Sequence, residues 1–229
     1  MNFKVQTRGS GEFIEKQLWL KPNEYKEGIK FAIENSIKSL FLQNDQTEKY
    51  YTLDFSWLSE LQDIETLEFA LPLTKESNIE GIYKLGKLKK LSYHMNYDTV
   101  PLNHERLRSL EYLYTNYSKN HKKMESCFEV LENLNHLRLW HIKKEENCLF
   151  LGNLKQLKRL ELTWSSLIKN LHGIDSYSLL EGIALRNLGK LENVTALIEL
   201  KLLKGIWLEG CKNINEEGKE IIKRINGEK

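Results

Sequence analysis

Leu134-Asn135-His136-Leu137-Arg138-Leu139 and, one period further on, Leu157-Lys158-Arg159-Leu160-Glu161-Leu162 decide the fold of this 229-residue chain. The same arrangement surrounds Leu137, Leu160, Ile183 and Ile206, each twenty-three positions after the one before. Apolar residues stand nine, six and three places ahead of each of these anchors and two places behind it. In order the copies read Phe128, Leu131, Leu134, Leu137, Leu139; Leu151, Leu154, Leu157, Leu160, Leu162; Ile174, Tyr177, Leu180, Ile183, Leu185; and Leu197, Leu200, Leu203, Ile206, Leu208. All twenty positions are apolar, where a chain that is 41% hydrophobic would fill about eight by chance, and a fixed period of this length marks a solenoid. In such an array no coil can bury its own apolar side, so each leans on its neighbour.

The pattern continues toward the N-terminus with looser spacing. Leu40, Leu67, Leu91 and Leu110 serve as anchors there, followed two places on by Leu42, Phe69, Tyr93 and Tyr112. From Leu40 to Ile206 the steps between successive anchors run 27, 24, 19, 27, 23, 23, 23. The L-x-x-L-x-L core of these copies resembles that of the leucine-rich repeat. The resemblance implies an α/β fold, a right-handed solenoid or horseshoe with a parallel sheet on its concave side, made of about eight irregular repeats. It also implies a role in recognising another protein, without catalysis. In that family an inward Asn or Cys follows each strand; here the slot holds Asp45, Pro72, Asn96, Thr115, Ile142, Ser165, Leu188 and Cys211, so a continuous asparagine ladder is not expected.

Domain organisation follows from the period: residues 1–30 as an N-terminal cap, 31–212 as the repeats, and 213–229 as a C-terminal capping helix. The stretch Phe13 to Leu20 alternates like a strand, and Arg8-Gly9-Ser10-Gly11 reads as a turn, so a hairpin is expected to cover the first coil. After Pro22 a short helix is expected, with Tyr25, Ile29 and Ile33 on its apolar side and Gly28 as a weak point. Within a repeat, Leu-x-Leu predicts a short strand, and the apolar every-third-residue run before it predicts a loop or a tight helical turn. At the far end Asn215 is placed to cap a helix through Ile225, with Gly227 beyond it.

Composition narrows the functional classes. Net charge is +2 from 34 basic and 32 acidic residues, which gives no global reason to expect nucleic acid. No apolar run is long enough to span a membrane, and the first ten residues lack the apolar core of a signal peptide, so the chain is expected to be cytoplasmic and a monomer when free. Cys127, Cys148 and Cys211 form no C-x-x-C pair and suit a reducing compartment. No phosphate-binding glycine loop, nucleophile elbow or H-E-x-x-H stands in the sequence, and His136 and His141 have no further ligand at zinc spacing. No catalytic residue, metal or cofactor is therefore nominated.

What remains is the outward side of the strands. Residues flanking the anchors should project from the open face, and those nominated as the partner-binding set are Tyr114, His136, Arg138, Trp140, Arg159, Glu161, Trp164, Arg186, Trp207 and Glu209. Three of the five tryptophans fall in this set, and Trp, Tyr and Arg are the residues that dominate binding hot spots. The alternative is that Trp140 and Trp164 turn down beside their strands while the C-terminal cap covers Trp207. Arg138 and Glu161 are expected to pair across adjacent strands.

Overall fold

The computed structural model describes residues 3–8, 15–44, 50–69, 71–93, 102–117 and 128–227. Asp45, Asn96 and Cys127, all weighed above, lie outside the described residues. The chain forms two compact units, Met1–Leu110 and Glu111–Lys229.

In the first unit, β1 (Lys4–Arg8) and β2 (Glu15–Leu20) form an antiparallel hairpin with Lys4 opposite Trp19 and Arg8 opposite Glu15. Residues 9–11 of the expected turn lie outside the described residues. The parallel stack begins at β2 itself: Leu18, Leu40, Leu67 and Leu91 stand in one register along β2, β3 (Ser39–Leu42), β4 (Thr66–Phe69) and β5 (Lys90–Tyr93), and all four are fully buried. The hairpin thus covers the first repeat and also supplies a strand equivalent to those that follow.

Helix α1 (Tyr25–Glu34) buries Gly28, Ile29 and Ala32, whereas Ile33 is 56% exposed. The apolar stripe therefore runs one position away from the expected Tyr25, Ile29, Ile33 line. Gly28 explains the shift, because a Cβ there would come within 2.5 Å of the Leu20 side chain. The residue that looks like a defect in the helix is what lets α1 lie against β2.

The second unit carries β6 (Tyr112–Asn116), β7 (His136–Ile142), β8 (Arg159–Ser165), β9 (Gly182–Leu188) and β10 (Gly205–Glu209), all parallel. Leu137, Leu160, Ile183 and Ile206 are neighbours in adjoining strands, as the period requires. The residue that continues this row onto β6 is Leu113, not Leu110. Moving that anchor by three positions turns the steps of 19 and 27 into 22 and 24, and the irregular repeat disappears. The spacing alone is ambiguous because Leu107, Leu110 and Leu113 repeat every third position, while two apolar slots of this copy hold His104 and Thr115, both fully buried. Of the twenty slots in the last four copies all are buried except Leu203 and Leu208, which belong to the terminal coil.

The apolar every-third-residue runs form 3-10 turns at Ser56–Glu60, Glu80–Lys84, His104–Arg106, Leu149–Leu151 and Thr195–Glu199. Four of these five, and also the turn at His172, are introduced by a side-chain acceptor thirteen positions before the anchor. Asp54, Asn78, Asn147, Asn170 and Asn193 each accept the backbone N–H two residues on, from Ser56, Glu80, Leu149, His172 and Thr195 at 2.8–3.1 Å. This is the local turn chemistry Asp and Asn favour. A polar row does exist, beyond the inward slot, with Asp54 beside Asn78 and Asn170 beside Asn193 in adjoining coils.

Helix α2 (Glu216–Asn226) closes β10. The Asn215 side chain accepts the N–H of Gly218 at 2.8 Å, and Gly227 ends the helix in the left-handed region. Ile214, Ile221 and Ile222 are buried beneath it. Asn226 then accepts the N–H of Ile206 at 2.8 Å and donates to its carbonyl at 3.1 Å, satisfying part of the free edge of β10.

Candidate functional site

Each long strand of the second unit ends in the same backbone feature, and it sets where the aromatic side chains go. His141, Trp164, Asn187 and Gly210, spaced by the same period as the anchors, have φ of 58°, 56°, 55° and 68°. One residue in left-handed conformation lets two consecutive side chains project from the outward face before Ile142, Ser165 and Leu188 turn back into the core. Asn and Gly adopt this conformation readily, but for a bulky residue it costs about 1–2 kcal/mol.

Trp164 accepts that cost, and the residue is 45% exposed. It forms a wall with Trp140 at 5.2 Å and His141 at 4.9 Å between ring centroids. Trp140 is half-buried and meets the Tyr114 ring edge-on at 5.4 Å. The Arg138 guanidinium lies over the Tyr114 ring at 4.5 Å, an arrangement that fixes the cation by its attraction to the ring face. Tyr114 is buried, which pushes its phenol well above the usual range. Burial, reinforced by the charge of Lys143, lowers the His141 pKa.

Beside this wall Glu161 gathers the charges. It lies 3.3 Å from His136 Nε2 and 3.1 Å from Arg186, and the Arg138 Nε is 3.2 Å away, close enough for an ion pair although that nitrogen makes no hydrogen bond there. Arg186 reaches on to Glu209 at 3.4 Å. The hydrogen bond from His136 and the charges of Arg138 and Arg186 hold the Glu161 carboxyl below its ordinary value, against burial, which acts the other way. Arg138 and Glu161 are cross-strand partners as expected, within a larger cluster than the pair alone.

Arg159 and Trp207 stand apart from this cluster, on the rim of an open hollow of about 510 Å³. Gly182 and Gly205, paired in register, form its floor with Ala184, and Glu161, Lys204 and Asn226 are among the other lining residues. Trp207 is 62% exposed, so the C-terminal cap leaves it open. The hollow is absent from the sequence-based expectation. Its signal is the column His136, Arg159, Gly182, Gly205, in which large outward side chains give way to none. Tyr112, whose ring packs on His136 at 4.6 Å, is missing from the nominated set because the expected register of that repeat is displaced.

Among the described residues no group of three or more His, Cys, Asp or Glu is arranged to hold a metal ion. Burial pushes the Cys148 thiol up to about 12, and Cys211 is also raised, chiefly by burial. Cys211 sits half-exposed with its Sγ 3.5 Å from the Leu185 carbonyl, a packed thiol rather than an activated one. No described helix is long and apolar enough to cross a membrane.

Parallel coils of roughly two dozen residues, with Leu-x-Leu strands on one side and 3-10 turns on the other, define a leucine-rich repeat fold. No family model matches the chain, and no curated protein matches it. Among solved structures it is similar to an internalin (inlF) from Listeria monocytogenes, with a TM-score of 0.52 at 18% identity, over 84% of this chain and 59% of that one. The chain thus spans about three-fifths of that internalin's length, and at this identity the likeness is one of fold. A leucine-rich repeat protein of Leptospira interrogans aligns at 15% identity over 92% of this chain and 87% of its own, with a TM-score of 0.26, too low to carry an argument.

Proposed function

We propose that this chain is a non-catalytic recognition scaffold that binds a partner protein on the outward face of its strands, through Trp140, Trp164, Trp207 and the Arg138, Glu161, Arg186 cluster. Trp164 carries the reading. Its backbone conformation is costly for so large a residue, and the residue is nearly half exposed, so the free chain loses stability there twice. A partner that buries the ring recovers the second loss, and Trp is the residue most enriched where binding energy concentrates. Glu161 and Glu209 hold the neighbouring arginines in ion pairs, so the face lacks the bare basic stripe that a phosphate backbone would need. A protein partner fits this mixture better.

Within that class the reading extends to a toxin-neutralising or regulatory adaptor protein of the cytoplasm, monomeric when free. The two described cysteines, Cys148 and Cys211, are both free thiols, which suits a reducing compartment. A neutralising protein must hold one partner at about nanomolar affinity or tighter, whereas an adaptor exchanges partners nearer the micromolar range. Affinity capture from the native host, followed by titration of the captured partner, tests both levels. Trp164→Ala and Trp207→Ala should each weaken capture by about tenfold or more while the chain stays folded by circular dichroism. Capture undiminished in both variants refutes the docking face.

A further inference from the structure

The hollow beside Trp207 carries a charge that no described residue pairs directly. The Arg159 side chain makes no hydrogen bond or ion pair among the described residues, and it is exposed on the rim. Glu181, whose carboxylate feels Arg159, is already held by Lys204 at 2.7 Å. Glu161, two residues along the same strand and also part of the lining, is met by His136, Arg138 and Arg186. Asn226 is committed to the backbone of Ile206. The lining therefore presents one uncommitted cation and one open indole face around a volume able to take one or two side chains.

The floor is bare for no internal reason. A Cβ built at Gly182 or Gly205 would meet nothing within 4 Å, and neither residue has positive φ. Packing and backbone conformation would both accept a larger residue, and a side chain there would occupy the hollow. Glycine in a strand occurs at bulges and bends and where another molecule approaches the backbone closely; both glycines here open strands that are in regular register.

We propose that this hollow receives an acidic side chain, Asp or Glu, from the partner protein, with Arg159 as its counter-ion and the Trp207 ring packed along its methylene and neighbouring backbone. The inference rests on the docking face described above and names the chemistry of one part of it. Charge complementarity decides the occupant: an apolar side chain would cover Trp207 but strand Arg159 against it, and a basic one would be repelled.

A library of short random peptides displayed on phage, selected on the full chain, reads the preference directly. The wild type should enrich an Asp or Glu at a fixed position, and the selected peptides should bind Arg159→Ala and Gly205→Leu about tenfold more weakly. Selection on Arg159→Glu should reverse the enriched charge to Lys or Arg, which loss of folding could not produce. Arg159→Lys should retain most of the affinity. An empty pool, a pool without acidic enrichment, or acidic peptides indifferent to Arg159→Glu would each overturn the proposal. Peptides that ignore Gly205→Leu but are lost on Trp164→Ala would overturn the acidic pocket alone and leave the docking face standing; peptides indifferent to both would count against the face as well.

Discussion

Replacing Glu161 by Gln removes one charge from the point where three basic side chains converge, and its effect can be bounded from the geometry. At about 3.2 Å and an effective dielectric near 20, each full ion pair has a gross attraction of about 5 kcal/mol, most of which is offset by desolvation. The Glu161 side chain is 21% exposed and its arginine partners 28% and 29%, so the pairs lie between the buried and surface limits and the upper end of the surface range, about 1 kcal/mol each, applies. Gln can still accept from His136, so the loss comes from Arg138 and Arg186 and should be about 1–2 kcal/mol at pH 7. Urea unfolding of wild type and Glu161→Gln between acid and neutral pH measures it.

The direction with pH follows from the lowered carboxyl. Glu161 titrates below its ordinary 4.5 when folded, so its contribution is complete above that value and is lost as pH falls through the depressed folded value. The difference between wild type and variant should be flat from neutral pH down to the ordinary carboxylate range and should close below it. A variant as stable as wild type at pH 7, or a gap that persists in strong acid, would refute the account of Glu161 as the ionic centre of the face.

Gly81→Ala should be far more damaging than its size suggests. The added Cβ would lie 1.7 Å from the carbonyl oxygen of Phe55 in the adjoining coil, and relieving that clash means prising apart backbones joined by the 2.8 Å bond from Phe55 N to Asn78 O. Overpacking together with that lost hydrogen bond predicts about 3 kcal/mol of destabilisation in the same unfolding assay, and a change below about 0.5 kcal/mol would contradict the packing described. Cys148 is fully buried with its thiol raised to about 12 by burial, so mass spectrometry after iodoacetamide treatment at mildly alkaline pH should find it unmodified in the folded chain and alkylated in urea. Rapid labelling of Cys148 in native conditions would sink that assignment.

The apolar period makes the stacked strands legible because burial of Leu137, Leu160, Ile183 and Ile206 is a property of spacing alone. Where the period is degenerate the sequence misleads. Leu110 and Leu113 satisfy the same every-third-residue rule, and only the buried Thr115 and His104 separate them. The outward position of Trp140 and Trp207 is legible from alternation, whereas Trp164, four places after its anchor, faces outward only through its left-handed backbone; their fates then differ by packing, since Trp140 closes against Tyr114 and Arg138 while Trp164 and Trp207 remain open. The left-handed residue at the end of each strand is legible only in part: Asn187 and Gly210 show the usual preference and His141 is of a type enriched there, but nothing in the sequence marks Trp164. The turn-initiating Asp54, Asn78, Asn147, Asn170 and Asn193 do stand in the sequence at a constant distance from their anchors. They stand outside the inward slot because each serves chiefly the turn it opens; Asn78 also donates across coils, to Asp54 at 2.9 Å.

The clamp of Asn226 on Ile206 has a consequence for the length of the array. One carboxamide imitates the backbone of an absent next strand, and it travels with the helix that bears it. A spliced copy of one further coil placed ahead of Ile214 would meet β10 with complementary donors and acceptors, and its own terminal strand would offer the same two atoms to the relocated amide. The stop is a detachable fitting, so the number of coils is free to change by whole units without redesign of those already stacked.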